Sequence, residues 1–413
     1  MPMRNWTRWA ALGSVGGLAV CSSAAAQSAM SIVDQPGVAS APAHYSVNAT
    51  FSAAYESNTA GGTAAVAALR GLKQADYIFA PTVTVDLFRP IGRESVFVGG
   101  SVGYNFYDQN TQLNRENINL SGGLNGQLSA CRGTLTGAYV RRQNEITDVT
   151  LGKIQDLYDQ STVGLNAACG RGVGLEPTLS VSQTWSNNSQ VQLTTSDYNT
   201  LSVNGGVAYT RPTFGNLSLF GLYQKTDFSN RFVQFGARSI QDGFDTYGGG
   251  VRYVRQLGAR IQGTVSLSYT SVKPYVGQTG NFSGPTYGAD ITYRASSRLQ
   301  FHGSVDRDVQ PSNTFDSTYL VETKGAFDAN YSVGSRLNFS VGVSEQSRNF
   351  KGATIKTAID LKSDEVKSIY GSASYKLRRL SLTLDVRNDL RTANIPGLGY
   401  SDTRVSLTTG TRF

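Results

Sequence analysis

The sequence is poor in the residues on which most catalytic and metal sites depend. Of its 413 residues only two are histidine and three are cysteine, so neither a His-rich metal site nor an HExxH motif can be built. Charged residues make up 16%, against about 25% in soluble domains. No run approaches the ~20 consecutive apolar residues of a membrane-spanning helix. We therefore expect no metal, no cofactor, no enzymatic activity and no bundle of transmembrane helices.

His302 and Ser304 lie two residues apart on one strand face, a spacing that suggests a nucleophile with its base. Side chains spaced in this way on a strand lie ~7 Å apart. No third group is in place to orient the histidine. The pair is not expected to be catalytic.

Glycine and aromatic residues are abundant instead. The chain has 45 Gly, 21 Tyr and 18 Phe, and this many aromatic residues argues against intrinsic disorder. The length allows two or three soluble domains or one large closed sheet. Low charge and high glycine content favour the closed sheet.

The first 26 residues are typical of an export signal. Arg4 and Arg8 precede a short apolar segment, and three alanines at 24–26 form a small-residue cleavage site. A lipoprotein signal at Cys21 is the alternative, but Val20 stands where a small residue is expected. We predict a signal peptide at 1–26, a short periplasmic segment at 27–44 and a single domain at 45–413.

Short turns with Gly, Pro or Arg recur roughly 40 residues apart, the spacing of a repeated hairpin. Between them apolar and polar residues alternate with period two; Leu382, Leu384 and Val386, for example, alternate with Thr383 and Asp385. Short connections also alternate with long ones, as in outer-membrane barrels. The pattern predicts an all-β fold: one transmembrane antiparallel β-barrel of about 18 strands (16–18), with short periplasmic turns and longer extracellular loops.

Aromatic residues lie at both ends of several apolar faces. Tyr319 and Tyr331 lie far enough apart on one strand to span roughly 30 Å. We predict that both rings sit in the aromatic girdles at the two membrane interfaces.

The end of the chain carries a family resemblance. Val405, Leu407 and Thr409 alternate with polar residues up to Phe413, and here the sequence resembles the Gram-negative outer-membrane β-barrels, whose last strand commonly ends in phenylalanine. Thr411 departs from that pattern, because an aromatic residue is often found at its position. The resemblance implies export through the periplasm to the outer membrane, contact with outer-membrane lipid, and Phe413 as a signal for the barrel-insertion machinery.

Strand number, chain length and the lack of a plug domain extend the resemblance to the β-barrel porin family often associated with exopolysaccharide export. That family implies a conduit for a secreted polysaccharide, working with periplasmic export proteins. A general or solute-selective diffusion porin is the alternative. A structural or adhesive barrel presenting loops 227–243 and 347–364 is a third possibility. Nucleic acid is not expected as a partner in this compartment.

The polar faces of the strands predict the lining of a water-filled lumen. Its charged candidates are Glu176, Arg252, Asp290, Arg294, Asp306, Glu322, Lys324, Asp328, Asp385, Arg387 and Arg404. The uncharged lining residues are mostly amides and hydroxyls, which suit a hydrated solute such as a sugar. Any water-filled barrel, however, needs a polar lining.

Two further patterns lie in the short turns. Cys131 and Cys169 stand one hairpin apart in an oxidising compartment, which predicts a structural disulfide, with two free thiols as the alternative. Arginine recurs at almost every short turn, including Arg211 and Arg255. These side chains are expected either to dock an acidic partner or to reach lipid phosphates.

Overall fold

The computed structural model describes residues 42–143, 156–235, 238–276, 281–312, 317–352, 361–395 and 397–413. The signal peptide predicted at 1–26 and nearly all of the segment predicted at 27–44 lie outside these residues. His44, the last residue of that segment, is the first residue of the first strand.

Eighteen strands account for most of the described chain, and the predicted fold class is confirmed. The strands are β1 (His44–Glu56), β2 (Asp76–Ile91), β3 (Glu94–Tyr107), β4 (Arg115–Leu128), β5 (Cys131–Gln143), β6 (Leu157–Cys169), β7 (Gly174–Asn188), β8 (Tyr198–Arg211), β9 (Gly215–Phe235), β10 (Arg238–Leu257), β11 (Ile261–Pro274), β12 (Phe282–Arg294), β13 (Leu299–Pro311), β14 (Tyr319–Val333), β15 (Leu337–Lys351), β16 (Ser363–Leu377), β17 (Leu380–Ala393) and β18 (Tyr400–Arg412). One short helix, α1 (Ala64–Arg70), and two 3₁₀ turns at Thr111–Leu113 and Val191–Ser196 lie in the longer connections.

The sheet is closed. Each strand pairs antiparallel with the next in sequence, and β1 pairs with β18 to complete the ring. The registers around the ring add up to a stagger of about 22 residues, which for 18 strands means a tilt near 40° and a backbone diameter of roughly 35 Å. Closure satisfies every strand edge, as hydrocarbon surroundings require.

The two faces of the sheet differ in polarity. On β17, Leu382, Leu384 and Val386 are exposed on the outer surface, whereas Asp385 and Arg387 lie on the opposite face. The same alternation holds around the ring, so the outward face is apolar and the inward face polar. No helix in the described ranges is long and apolar enough to cross a membrane.

The two ends of the barrel also differ. Both described chain ends and the eight short turns lie at one end, and α1 and the longer connections lie at the other. We call these the short-turn end, which faces the periplasm in outer-membrane barrels, and the loop end. At the short-turn end the Phe413 amide donates a hydrogen bond to the Val47 carbonyl oxygen (2.9 Å), and the Phe413 ring is exposed.

Two expectations about the loop end are wrong. The long loop expected at 227–243 is mostly strand, because β9 continues to Phe235 and β10 begins at Arg238, with a bulge between Gln241 and Gly243. Tyr319 does not face lipid. Its ring is fully buried and packs against Phe244, with the ring centroids 5.6 Å apart.

A disulfide joins Cys131 and Cys169. The two residues lie directly opposite each other, at the first position of β5 and the last position of β6. The bond therefore ties the open end of a hairpin whose two strands are connected at the loop end.

Candidate permeation pathway

The eleven charged candidates for the lumen lining all lie on the inward faces of their strands. Glu176 is on β7 and Arg252 on β10; Asp290 and Arg294 are on β12, Asp306 on β13, and Glu322, Lys324 and Asp328 on β14; Asp385 and Arg387 are on β17, and Arg404 is on β18. They are not brought together at one place. They are spread over the height of the barrel.

The inward charges are distributed unevenly around the ring. Between the β9–β10 bulge and the short-turn end, the described parts of β6 to β11 carry only two inward charged residues, Glu176 and Arg252. The rest of that wall is mainly Ser, Thr, Asn, Gln and Gly. Most of the other inward charges lie on β12 to β18. One side of the lumen is therefore neutral and hydroxyl-rich, and the other is charged.

A hydrogen-bonded row crosses the charged wall at mid-height. His302, Asp328, Gly342 and Tyr370 are paired directly across β13 to β16. The His302 Nε2 atom lies 2.9 Å from Asp290 Oδ2, and its Nδ1 atom lies 3.3 Å from Asp328 Oδ2. The Tyr370 hydroxyl donates to the other oxygen of Asp328. The row thus fixes two carboxylates and a phenol on the lumen wall.

The glycine in this row makes the Asp328–Tyr370 contact possible. A Cβ atom on Gly342 would lie 2.5 Å from both Asp328 Oδ1 and Tyr370 Cε2. Any larger residue would have to displace one of these side chains. Asp328 and Tyr370 lie on the strands on either side of β15, so their contact crosses β15 at this glycine.

Gly342→Ala should therefore lower the free energy of unfolding by about 1–3 kcal/mol, the range for overpacking. Urea unfolding of the refolded barrel measures this. The matched control is Gly137→Ala, where nothing lies within 4 Å of the new Cβ and the change should be neutral or slightly stabilising. Equal effects of the two substitutions would contradict the steric argument.

Arg387 continues the row on β17. It is paired with Tyr370, and its guanidinium carbon lies 5.8 Å from the centre of that ring. Its Nε donates to both oxygens of Asp389 (2.8 and 2.9 Å), and its Nη2 donates to the Ser368 hydroxyl (2.9 Å). The lumen wall thus presents carboxylates, an aromatic ring and a guanidinium side by side.

A buried ion cluster lies nearer the loop end. Asp364 accepts hydrogen bonds from Arg348 Nε at 2.8 Å and Arg348 Nη2 at 2.5 Å, and a further one from Arg391 Nη2. The Asp364 and Arg391 side chains are almost fully buried and that of Arg348 is largely so. All three lie on inward faces, so other parts of the protein must cover them on the lumen side.

Connections at the loop end supply that cover. Leu361 and Leu398 pack on Leu320 and Phe350, which are inward residues of β14 and β15. Leu398 belongs to the connection 394–399 between β17 and β18. This connection also reaches the α1 region, where the Thr63 amide donates a hydrogen bond to the Gly397 carbonyl oxygen at 3.2 Å. Leu361 and the described residues of the 394–399 connection therefore lie over the mouth of the lumen.

The tip of the β13–β14 hairpin lies on the lumen side as well. Tyr319 and Val321 have the outward parity of β14, yet they are buried with Phe228, Phe244 and Val272, which are inward residues of β9 to β11. This contact requires the tip to lie inside those strands. It also explains why Tyr319 is not in the lipid girdle.

Polar contacts hold the tip in this position. Arg231 Nη1 donates to the Ser317 carbonyl oxygen at 3.0 Å and lies 3.5 Å from Asp242 Oδ2. The Thr318 hydroxyl is 3.5 Å from the same Asp242 oxygen. The loop end is therefore narrowed from two sides, by the 394–399 connection and by this tip.

Residues 92–413 match the family described as Putative beta-barrel porin 2. The chain belongs to this porin family. The porin resides in the outer membrane of the cell, in contact with its lipid.

Solved structures are similar to this porin at low identity. OccK2 (OpdF) of Pseudomonas aeruginosa is 10% identical, with a TM-score of 0.47 over 89% of this chain and 98% of that one. The same protein in complex with glucuronate gives 0.48, at 10% identity and 90% and 98% coverage. OpdL of the same organism gives 0.44, at 11% identity and 89% and 98% coverage. No curated protein has a matching sequence.

In the described part of the porin, no group of three His, Cys, Asp or Glu side chains is arranged to hold a metal ion. The two carboxylates beside His302 illustrate why. They bind opposite nitrogens of the ring, so the three groups do not converge on one point.

The ion cluster at the loop end was missed by the sequence analysis. Arg348, Asp364 and Arg391 lie near the loop ends of β15, β16 and β17. Each keeps the inward parity of its strand, so the signal was available in the polar alternation. The apolar alternation used to place the strand ends had already stopped.

Proposed function

We propose that this porin is a solute-selective diffusion channel for small hydrophilic solutes, with no catalytic step. One observation carries the proposal: two parts of the chain fold inward at the loop end, above a buried Arg–Asp–Arg cluster. A channel narrowed by loops and lined by paired charges selects solutes by size and charge. The mid-height row supplies carboxylates, a phenol and a guanidinium, groups that hydrogen-bond well to polyhydroxyl solutes.

The second candidate is a conduit for secreted exopolysaccharide, working with periplasmic export proteins. The neutral wall of β6 to β11 favours it, because closely spaced hydroxyls and amides let a sugar chain exchange hydrogen bonds as it slides. The inward-folded loop end disfavours it, since a polymer needs an opening at both ends.

Liposome swelling with sugars of increasing length separates these proposals. A diffusion porin should admit mono- and disaccharides and exclude long oligosaccharides. Uptake of long oligosaccharides at comparable rates would favour the conduit. If the refolded barrel conducted no ions in planar bilayers, the structural or adhesive alternative would replace both.

The carboxylates of the mid-height row should also set ion preference. Asp290→Asn with Asp328→Asn removes two negative charges from the lumen wall. One charge some 5 Å away in water is worth about 0.8 kcal/mol to a monovalent ion, a factor of about four, so loss of both should lower the cation-to-anion permeability ratio by at least about fourfold. Reversal potentials across a salt gradient measure the ratio.

The control for this double variant is Glu345→Gln with Glu365→Gln. It removes the same charge from the outward faces of β15 and β16. Because these side chains face away from the lumen, their loss should leave the ratio unchanged. A drop in the control as large as in the double variant would show that net charge, rather than the row, sets the preference.

A further inference from the structure

Outside the lumen, the short-turn end of β8 to β10 carries a compact group of two arginines and three aromatic rings. Phe214 lies between Tyr209 and Tyr253, with centroid distances of 6.5 and 5.4 Å. The guanidinium carbon of Arg211 is 5.8 Å from the centre of the Tyr209 ring. Arg255 Nη1 lies 3.4 Å from the Tyr253 hydroxyl oxygen. We call these five residues the Arg211–Arg255 cluster.

Glycine separates the two arginines. Gly215 is paired with Arg211, and a Cβ atom on Gly215 would lie 3.2 Å from Cβ of Arg255. The arginines thus flank Gly215 on the outward face, about two strand spacings or ~10 Å apart at their Cα atoms. Because Gly215 has no side chain, the stem of Arg255 can cross it toward the β8–β9 turn: Cβ and Cγ of Arg255 lie 3.2 and 3.4 Å from the position of a Gly215 Cβ.

Hydrogen bonds fix this arrangement. The Tyr253 hydroxyl donates to the Phe214 carbonyl oxygen at 2.6 Å, and Arg255 Nη2 donates to the Thr213 carbonyl oxygen at 3.2 Å. The β8–β9 turn is therefore held against β10. Within the described ranges neither arginine forms an ion pair with an acidic side chain.

The position of the cluster relative to the membrane is set by its neighbours. Tyr209 and Tyr253 are both paired with Leu217, and Leu219, two residues nearer the middle of β9, is 59% exposed on the apolar surface. Tyrosine rings at such a boundary mark the membrane interface. The arginines lie two residues further along their strands toward the periplasm, at the level of lipid phosphates.

We propose that the Arg211–Arg255 cluster binds the phosphate group of a phospholipid in the inner leaflet of the outer membrane. The two guanidiniums donate hydrogen bonds to the phosphate oxygens from either side of Gly215. The aromatic rings pack against the glycerol region, and the acyl chains follow the exposed leucines of β9. This site is on the outside of the barrel and is independent of what passes through the lumen.

Native mass spectrometry of the full chain, released from detergent with added phosphatidylglycerol, tests the proposal. The expected result is one tightly bound lipid, with the apparent Kd raised tenfold or more in R211Q/R255Q. The matched control is R378Q/R379Q, which removes two exposed arginines from another short turn and should retain the lipid. F214A keeps both charges and should give an intermediate Kd.

Two results would overturn the site. Either R211Q/R255Q retains the lipid with unchanged Kd, or R378Q/R379Q loses it to the same extent, which would mean that general rim charge holds the lipid. Circular dichroism of each variant checks that the barrel is folded. If R211Q/R255Q does not fold, R211K/R255K replaces it: lysine keeps the charge but loses the paired donors, so the Kd should still rise.

Discussion

Replacing Asp364 by alanine should open the loop end of the porin and raise its conductance. Asp364 is a shared partner of Arg348 and Arg391, and its removal takes the carboxylate between two buried guanidiniums away. Breaking a buried ion pair in this way costs about 3–5 kcal/mol. We expect the inward-folded connections to move away, because this lets water solvate both arginines and so lowers the free energy of the variant.

Single-channel recording in planar bilayers measures this effect, and urea unfolding gives the loss of stability. Asp389→Ala is the matched control, because Asp389 pairs with Arg387 on the same wall, yet both side chains are about a quarter exposed to water. A partly solvated pair is worth at most about 1 kcal/mol. An Asp364→Ala channel with unchanged conductance would show that the loops are held in place by their apolar contacts alone.

Loss of the disulfide is expected to have an effect of similar size on stability. Replacing Cys131 and Cys169 by serine should lower the free energy of unfolding by roughly 4 kcal/mol, the chain-entropy estimate for their separation of 38 residues. The reason is that the bond restricts the unfolded chain far more than it adds contacts to the folded hairpin. Conductance should not change, because the bond lies at the short-turn end.

Urea unfolding with and without reductant tests this prediction. The reduced wild-type barrel should match the double serine variant, and reductant should have no effect on the variant. If the wild type resisted urea equally in both conditions, the bond would contribute nothing to stability. A fall confined to the variant would point to the serines themselves.

The fold could be predicted from sequence because lipid imposes a strict rule on the strands. Where both a membrane and a water-filled lumen flank the sheet, every second residue must be apolar, and the alternation is visible without a structure. Phe282 shows where this fails: β12 begins there, although the alternation of apolar and polar residues begins only further along the strand. Above the lipid the outward face becomes polar, as at Glu345 and Lys367, while the backbone ladder continues.

The inward charges follow the same rule. Strand parity placed Asp290, Asp328 and Arg387 on the lumen wall, but it could not show which of them touch. The hydrogen bonds of His302 depend on the registers of three strands, and those registers are set by turns and closure. Gly342 carries no signal of its own importance in the sequence, since some strand glycines, such as Gly137, have open space around them and others do not.

The loop end could not be predicted, for a different reason. Its contacts join segments far apart in the chain, such as Thr63 with Gly397 and Arg231 with Ser317. No local periodicity records such pairs. Tyr319 was assigned to the lipid interface because its parity is correct, and only the fold of the whole hairpin tip shows that this parity leads into the lumen.

The closed ring has a consequence for how the porin forms. Seventeen of its eighteen strand pairings join neighbours in sequence, and only the seam between β1 and β18 joins the two ends of the chain. Local hairpins form quickly, whereas the seam must wait until residues 404–412 have arrived. Until then the first and last strands are bare edges, open to pairing with another chain. The yield of folded barrel therefore depends on how quickly β18 pairs with β1, because aggregation through the two unpaired edges competes with closure of the seam.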